Sequence, residues 1–315
     1  MINDIHSIDV NIGYNINKRF AVSASIPYQT ATRSQSLRDP RFLRDANGAQ
    51  VKDAKGNNVF LNPSGVRTPT GGTNGAVIAR YQTEAAGLGD IKLFATGWLL
   101  DPEKATKGNI SGGLGVLFPT GEADHLDTFK TLTTKRGGKG VDDTFTIGDT
   151  AQYVDNSIQP GGGAWGIIFD VYMWRELVKN VTVFASGTYI ATPEELSATP
   201  NGAVGTTNYW SANDAFLFRA GGGYTFWPEG SMTFTLAGRM EGAPSTDIFG
   251  DSAGRRRPGF AIAIEPGLVW ARKGWVVSFS APVALYRNRE NDFSNREGDA
   301  AFADFITLLS VSKRF

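Results

Sequence analysis

Residues 8–29 read Ile8-Asp9-Val10-Asn11-Ile12-Gly13-Tyr14-Asn15-Ile16, then Asn17-Lys18-Arg19, then Phe20-Ala21-Val22-Ser23-Ala24-Ser25-Ile26-Pro27-Tyr28-Gln29. Successive side chains of a strand point to opposite faces. Ile8, Val10, Ile12, Tyr14 and Ile16 therefore share one face, while Asp9, Asn11, Gly13 and Asn15 share the other. The second run repeats the pattern, with Phe20, Val22, Ala24, Ile26 and Tyr28 opposed to Ala21, Ser23, Ser25 and Gln29. A helix would not keep these residues on one side. Two such runs joined by a tight turn predict a hairpin with one greasy face and one wet one.

The same period recurs at Ile91–Leu99, Ile110–Phe118, Trp165–Met173, Val181–Tyr189, Phe216–Phe226, Met232–Met240, Phe260–Trp270, Trp275–Leu285 and Ala303–Phe315, about eleven strands in all. Each is close to the ~9–11 residues that a tilted strand needs to cross a bilayer, longer than the ~5–6 residues usual in soluble sheets. The connections alternate in length. Short turns fall at Asn17–Arg19, Asp101–Lys107, Arg175–Asn180, Trp227–Gly230 and Arg272–Gly274, and long polar segments at Arg33–Ala86, Thr120–Gly162, Thr192–Asp214, Ala243–Pro258 and Arg289–Ala301. Short periplasmic turns and long extracellular loops are the habit of outer-membrane barrels. The expectation is an all-β fold, an antiparallel transmembrane β-barrel of the outer-membrane type, in one domain over residues 1–315 with long extracellular loops at about 33–86 and 120–162. Because a strand that descends to the turn at Asn17 begins outside the cell, and single-chain barrels close with even strand numbers, a signal peptide and a first strand of a twelve-strand barrel are expected before this sequence.

Composition narrows the chemistry. The chain has 31 basic and 31 acidic residues and no cysteine, so it offers no nucleic-acid footprint, disulfide framework or thiolate. No stretch reaches the ~18 apolar residues of a membrane helix. A mean hydropathy of −0.21 suits a barrel as well as a soluble protein, because only alternate residues meet lipid. Aromatic residues gather at strand ends (Phe20, Tyr28, Tyr224, Phe226, Trp227, Trp270, Trp275), where amphipathic rings favour the headgroup level.

Several segments resemble a known family. Gly87-Leu88-Gly89-Asp90 opens a strand, Gly115-Val116-Leu117-Phe118-Pro119-Thr120-Gly121 ends one, and Gln159-Pro160-Gly161-Gly162-Gly163 opens the next. With Ala281-Pro282-Val283, Tyr286-Arg287-Asn288 and the terminal Ser310-Val311-Ser312-Lys313-Arg314-Phe315, their order along the chain resembles the outer-membrane channels of the phenol-degradation meta-pathway. The resemblance implies a twelve-strand barrel associated with uptake of small, often aromatic or hydrophobic compounds. Phe315 after an alternating strand also resembles the C-terminal signal read by the outer-membrane assembly machinery.

If the greasy face meets lipid, the other lines a lumen. Charges facing hydrocarbon would cost roughly 2–4 kcal/mol for Arg or Lys at the midplane, so Asp9, Asn11, Asp90, Lys92, Asp170, Arg219, Arg239, Glu241, Glu265, Asp304 and Arg314 are expected inside. Beside them stand Phe94, Trp98, Tyr172, Trp174, Phe184 and Tyr286, with small residues such as Gly113, Gly115, Gly221 and Ala263 leaving space. Of these, Asp9, Asn11, Asp90, Lys92, Phe94, Asp170, Tyr172, Arg219, Arg239, Glu241, Glu265 and Tyr286 are the candidate solute-contacting residues. The charges either brace the wall as salt bridges or select solute, and the rings either line a passage or plug it.

Catalytic signatures are lacking: there is no Gly-x-Ser-x-Gly, P-loop or His-Glu-x-x-His, and His6 and His125 are the only histidines. His125 between Asp124 and Asp127 is expected to be an exposed loop residue, and no cofactor or metal is expected. Arg255-Arg256-Arg257 offers guanidinium groups to lipopolysaccharide phosphates, or is simply a solvated charge run. The expected role is a passive channel of the bacterial outer membrane, not an enzyme, with outer-membrane lipid, lipopolysaccharide and a small solute as partners. A structural or adhesive barrel with a plugged lumen and an outer-membrane hydrolase are the alternatives.

Overall fold

The computed structural model describes residues 3–67, 73–137, 143–250, 252–288 and 302–314. β1 (Asn3–Asn15) pairs antiparallel with β2 (Phe20–Arg38), Asn15 standing opposite Ala21 and Asn3 opposite Arg33. Asn17 closes their turn, its side-chain oxygen accepting from the N–H of Arg19 and of Phe20 at 2.8 and 2.9 Å. There follow β3 (Pro63–Arg67), β4 (Thr73–Gly75), β5 (Val77–Leu88), β6 (Ile91–Trp98), β7 (Gly108–Phe118), β8 (Leu126–Lys135), β9 (Thr144–Tyr153) and a single 3-10 turn, η1 (Asn156–Ile158). The second half holds β10 (Gly166–Val178), β11 (Val181–Ala191), β12 (Leu196–Pro200), β13 (Tyr209–Ser211), β14 (Ala215–Trp227) and β15 (Met232–Ala243). It ends with β16 (Gly259–Arg272), β17 (Trp275–Ser280), β18 (Val283–Asn288) and β19 (Leu308–Lys313).

One antiparallel sheet takes them in the spatial order β1-β2-β6-β7-β10-β11-β14-β15-β16-β17-β19, an eleven-strand path among the described residues that curls into a half-barrel. Its two ends, β1 and β19, are not paired with each other among those residues. Two strands off the path continue members of it around a bend. β5 extends β6 along β2, the register slipping by one residue at Gly89-Asp90. β18 extends β17 along β16 through Ala281-Pro282 without a slip, and the register then shifts beside Leu285. The turn into β17 is a two-residue loop with positive φ at Lys273 (50°) and Gly274 (77°), the twist that suits a right-handed hairpin.

The long segments are built rather than loose. β2 and β5 stay paired as far as Arg38 opposite Val77, well past the wall. At the tip Leu43, Val51 and Val59 bond backbone to backbone in a ring, and Asp45 and Asp53 each cap an Asp-x-x-Gly turn, accepting from the N–H two and four residues on. Residues 120–162 contain the β8–β9 hairpin and η1. The segments 33–86 and 120–162 thus carry paired strands, β2 with β5 and β8 with β9. The final strand is shorter than expected, and Phe315 lies outside the described residues, as does the segment 289–301.

Cross-strand partners share a face, so the register fixes what each face carries. On one, Val10, Ile26, Leu93, Val116, Ile167, Leu236, Ile264, Leu268, Phe279 and Leu309 follow one another from strand to strand. The other holds the charges, Glu265 being only 2% exposed. We call the second the inner face.

Candidate functional site

A single register row crosses seven strands of the inner face: Trp98, Ser111, Tyr172, Ser186, Arg219, Arg239 and Ala263. Its first half is aromatic. Trp98 meets Tyr172 edge to face with centroids 6.2 Å apart, a favoured arrangement for rings. Its second half sets two arginines directly opposite each other, which like charges alone would destabilise. Carboxylates on the flanking rows resolve the conflict. Glu265 accepts from Arg219 Nε and Nη2 at 3.1 and 2.5 Å and lies 3.6 Å from Arg239 Nη1. Glu241 accepts from Arg239 Nε at 3.0 Å. Arg219 also lies over the Phe184 ring, 5.9 Å from its centroid, a cation–π contact that ties the charged half to the aromatic half.

The other expected residues divide. Asp170, on the row next to Tyr172, accepts from the Thr188 hydroxyl at 2.7 Å. Lys92 and Phe94 lie on the inner face opposite Leu117 and Gly115, and a Cβ on Gly115 would come within 2.8 Å of the Phe94 ring, so the glycine makes room for it. Asp9 and Asn11 share that face on β1, at the sheet edge and apart from the charged row, with Asp9 accepting from Ser7. Asp90 is engaged by backbone. It sits in the break between β5 and β6 and accepts from the N–H of Gly121 and Gly162 at 3.0 and 2.7 Å. Tyr286 is corrected to the outer face. The shift beside Leu285 sets it opposite Ile262, half-exposed, its ring tilted on Phe260.

At the long-loop end, residues 154–162 cross the inner side of the wall. Val154 and Ile158, 1% and 0% exposed, pack on Ala31 of β2 and Ala85 of β5. Asp155 accepts from Arg257 Nη1 and Nη2 at 2.9 and 3.0 Å and pairs with Arg33 at 2.8 Å. Arg257 in turn lies 4.5 Å over the Trp210 ring. The arginine triplet is thus not one surface patch for lipopolysaccharide. Arg256 is 2% exposed and binds Ser211 and Asp247, while Arg255 lies on Trp210. Composition gave no hint of Arg33 and Asp155, although the alternation of β2 continued past Tyr28 would have placed Arg33 on the inner face. His125 pairs with Glu122 at 2.9 Å, and among the described residues no group of three or more His, Cys, Asp or Glu suits a metal.

Burial pushes the Asp155 carboxyl up, but Arg257 and the Ser157 N–H and hydroxyl outweigh it and hold the pKa down to about 2. A depressed carboxylate stabilises the fold fully above its unfolded pKa, ~3.9, and loses that contribution as pH falls through about 2. Acid titration followed by fluorescence of a variant that keeps Trp210 as its one tryptophan is expected to be flat down to pH ~4 and to change below it. Asp155→Asn is expected to remove the acid step.

Among solved structures the chain is similar to the CymD monoaromatic hydrocarbon channel (10% identity, TM-score 0.46, covering 90% of this chain and 68% of that one). It is also similar to the Ralstonia pickettii toluene transporter TbuX (14%, 0.40, 90% and 63%) and to a Pseudomonas aeruginosa FadL homologue (10%, 0.37, 90% and 60%). The chain thus spans 60–68% of the length of these proteins. No protein-family model matches the chain, and no curated protein does.

Proposed function

We propose that the chain is a bacterial outer-membrane channel for passive uptake of small hydrophobic or aromatic compounds. The observation that carries this reading is the inversion of its faces. Large apolar side chains stand exposed on the outer face, Ile8 at 70%, Leu114 at 57% and Leu309 at 72%, while ion-paired charges sit within. At about 25 cal/mol per Å² of apolar surface, such a belt is intolerable in water and suits hydrocarbon. Phe20, Tyr224, Phe226, Trp227 and Trp275, all exposed beside the short turns, mark one headgroup level. Lipid and lipopolysaccharide surround the outer face in this reading.

Within, the row from Trp98 to Arg239 offers a solute rings on one side and polar groups on the other. Such a lining suits a weakly hydrophobic molecule, which leaves to the periplasm or sideways between strands. Flux of monoaromatic solutes into liposomes carrying the refolded protein is the test. Swelling above that of protein-free liposomes is expected, and a sealed barrel overturns the reading. A second reading, a structural barrel with a plugged lumen, draws on the segment 154–162 lying across the mouth, and the same absence of flux would favour it.

A further inference from the structure

We infer that residues 154–162 form a strap that closes the long-loop mouth of the barrel, and that Asp155 is its latch. The geometry begins with sequence distance along the sheet. Arg33 belongs to β2, second in the strand path, and Arg257 lies two residues before the start of β16, ninth in the path. Seven steps of the sheet separate them, yet one carboxylate oxygen, Oδ1 of Asp155, lies 2.8 Å from Arg33 Nη1 and 2.9 Å from Arg257 Nη1. A contact of that kind is a chord across the curl of the wall, not a link between neighbouring strands. Ser157 adds two more ties on the β1–β2 side, its hydroxyl oxygen accepting from Asn3 Nδ2 and Arg33 Nη1 at 2.8 Å each.

The strap has a fixed root and a shallow seat. At the root its backbone touches other backbone: a Cβ on Gly161 would fall 2.5 Å from the carbonyl of Gly121, and one on Gly89 would fall 3.0 Å from the Pro160 oxygen. Asp90 clamps this root through Gly121 and Gly162. At the seat, Val154 and Ile158 rest on two alanines, Ala31 and Ala85, with the Phe129 ring of β8 packed beside them. Beside this apolar seat and the bonds that Val154 and Gln159 make with His125, the charge-assisted bonds of Asp155 are what tie the strap to the far side of the curl. Such bonds release when a partner is lost, whereas the root stays in place.

The gating role rests on the channel reading, and two separate readouts keep them apart. The chain has no cysteine, so Ala31→Cys, under the strap, and Ala54→Cys, at the exposed loop tip, are clean reporters for a water-soluble maleimide on the refolded full chain. Adding Asp155→Asn, or Arg257→Gln as an independent variant should the first fail to refold, is expected to speed labelling at position 31 about tenfold, the scale of one lost charge-assisted bond, and to leave position 54 unchanged. The double variant is expected to go no further than Asp155→Asn alone, because that change already removes the pair with Arg257 as well as the one with Arg33. Liposome flux is expected to rise in parallel. Equal labelling rates at position 31 with and without the latch overturn the proposal, as does faster labelling with unchanged flux in a barrel that conducts. Faster labelling with no flux in any variant leaves the strap standing and overturns the channel reading.

Discussion

Glu265→Ala is expected to destabilise the folded protein by about 3–5 kcal/mol, the cost of removing one partner from a buried charge network. The size follows from what is left behind. Glu265 is 2% exposed and holds both Arg219 and Arg239, which the register sets opposite each other. Without it, only Glu241 remains for two guanidinium groups, and Arg219 keeps no carboxylate partner among the described ion pairs. Glu265→Gln is expected to cost less, since the amide oxygen still accepts one bond but carries no charge. Replacing all three residues together, Glu265→Leu with Arg219→Met and Arg239→Met, is expected to recover most of the loss, because a buried pair exchanged for apolar groups is often neutral. Urea titration of the refolded protein in detergent micelles measures each. A loss below about 1 kcal/mol for Glu265→Ala would mean that water reaches the cluster and that its ion pairs behave as surface pairs do.

Much of this wall was legible because a period of two is a strong instruction. Alternation placed Arg219, Arg239, Glu241 and Glu265 on one face, and the register puts them there. It could not say that four of them would satisfy one another, since pairing depends on which rows the register brings level. Tyr286 fails for a related reason. Regular alternation through Leu285 puts the Tyr286 side chain inward, but one extra residue there turns every later side chain to the other face. Asp90 sits at a second such slip. The three glycine-bearing segments that carried the family resemblance, 87–90, 115–121 and 159–163, meet in space at the root of the strap. Their spacing in sequence gave no sign of that, because backbone contact between glycines leaves no side-chain pattern. Length and polar composition mark the loops but not their turns, whose signal is the repeat of Asp45-Ala46-Asn47-Gly48 as Asp53-Ala54-Lys55-Gly56.

The largest effect on the outer face is expected from Phe279→Arg, paired with Ser278→Arg as its control. The two residues are neighbours in β17 and point to opposite faces. Phe279 stands opposite Leu268 and Leu309, and Ser278 opposite Val269 and Ser310. Phe279 lies five residues above the turn at Gly274, near the middle of a strand that continues to Asn288. If hydrocarbon covers the outer face, an arginine there costs roughly 2–4 kcal/mol, and loss of the ring adds to it. An arginine at 278 enters a polar interior, where it costs little and shifts the ion selectivity of the pore instead. In water the ranking would differ: an arginine replacing a half-exposed phenylalanine would improve solubility, since its stem covers apolar surface while its head is hydrated. Refolding into lipid vesicles, followed by urea titration, separates the two cases. A Phe279→Arg protein as stable in vesicles as its Ser278→Arg counterpart would remove the membrane from the reading of this fold, and with it the reason for the exposed apolar belt.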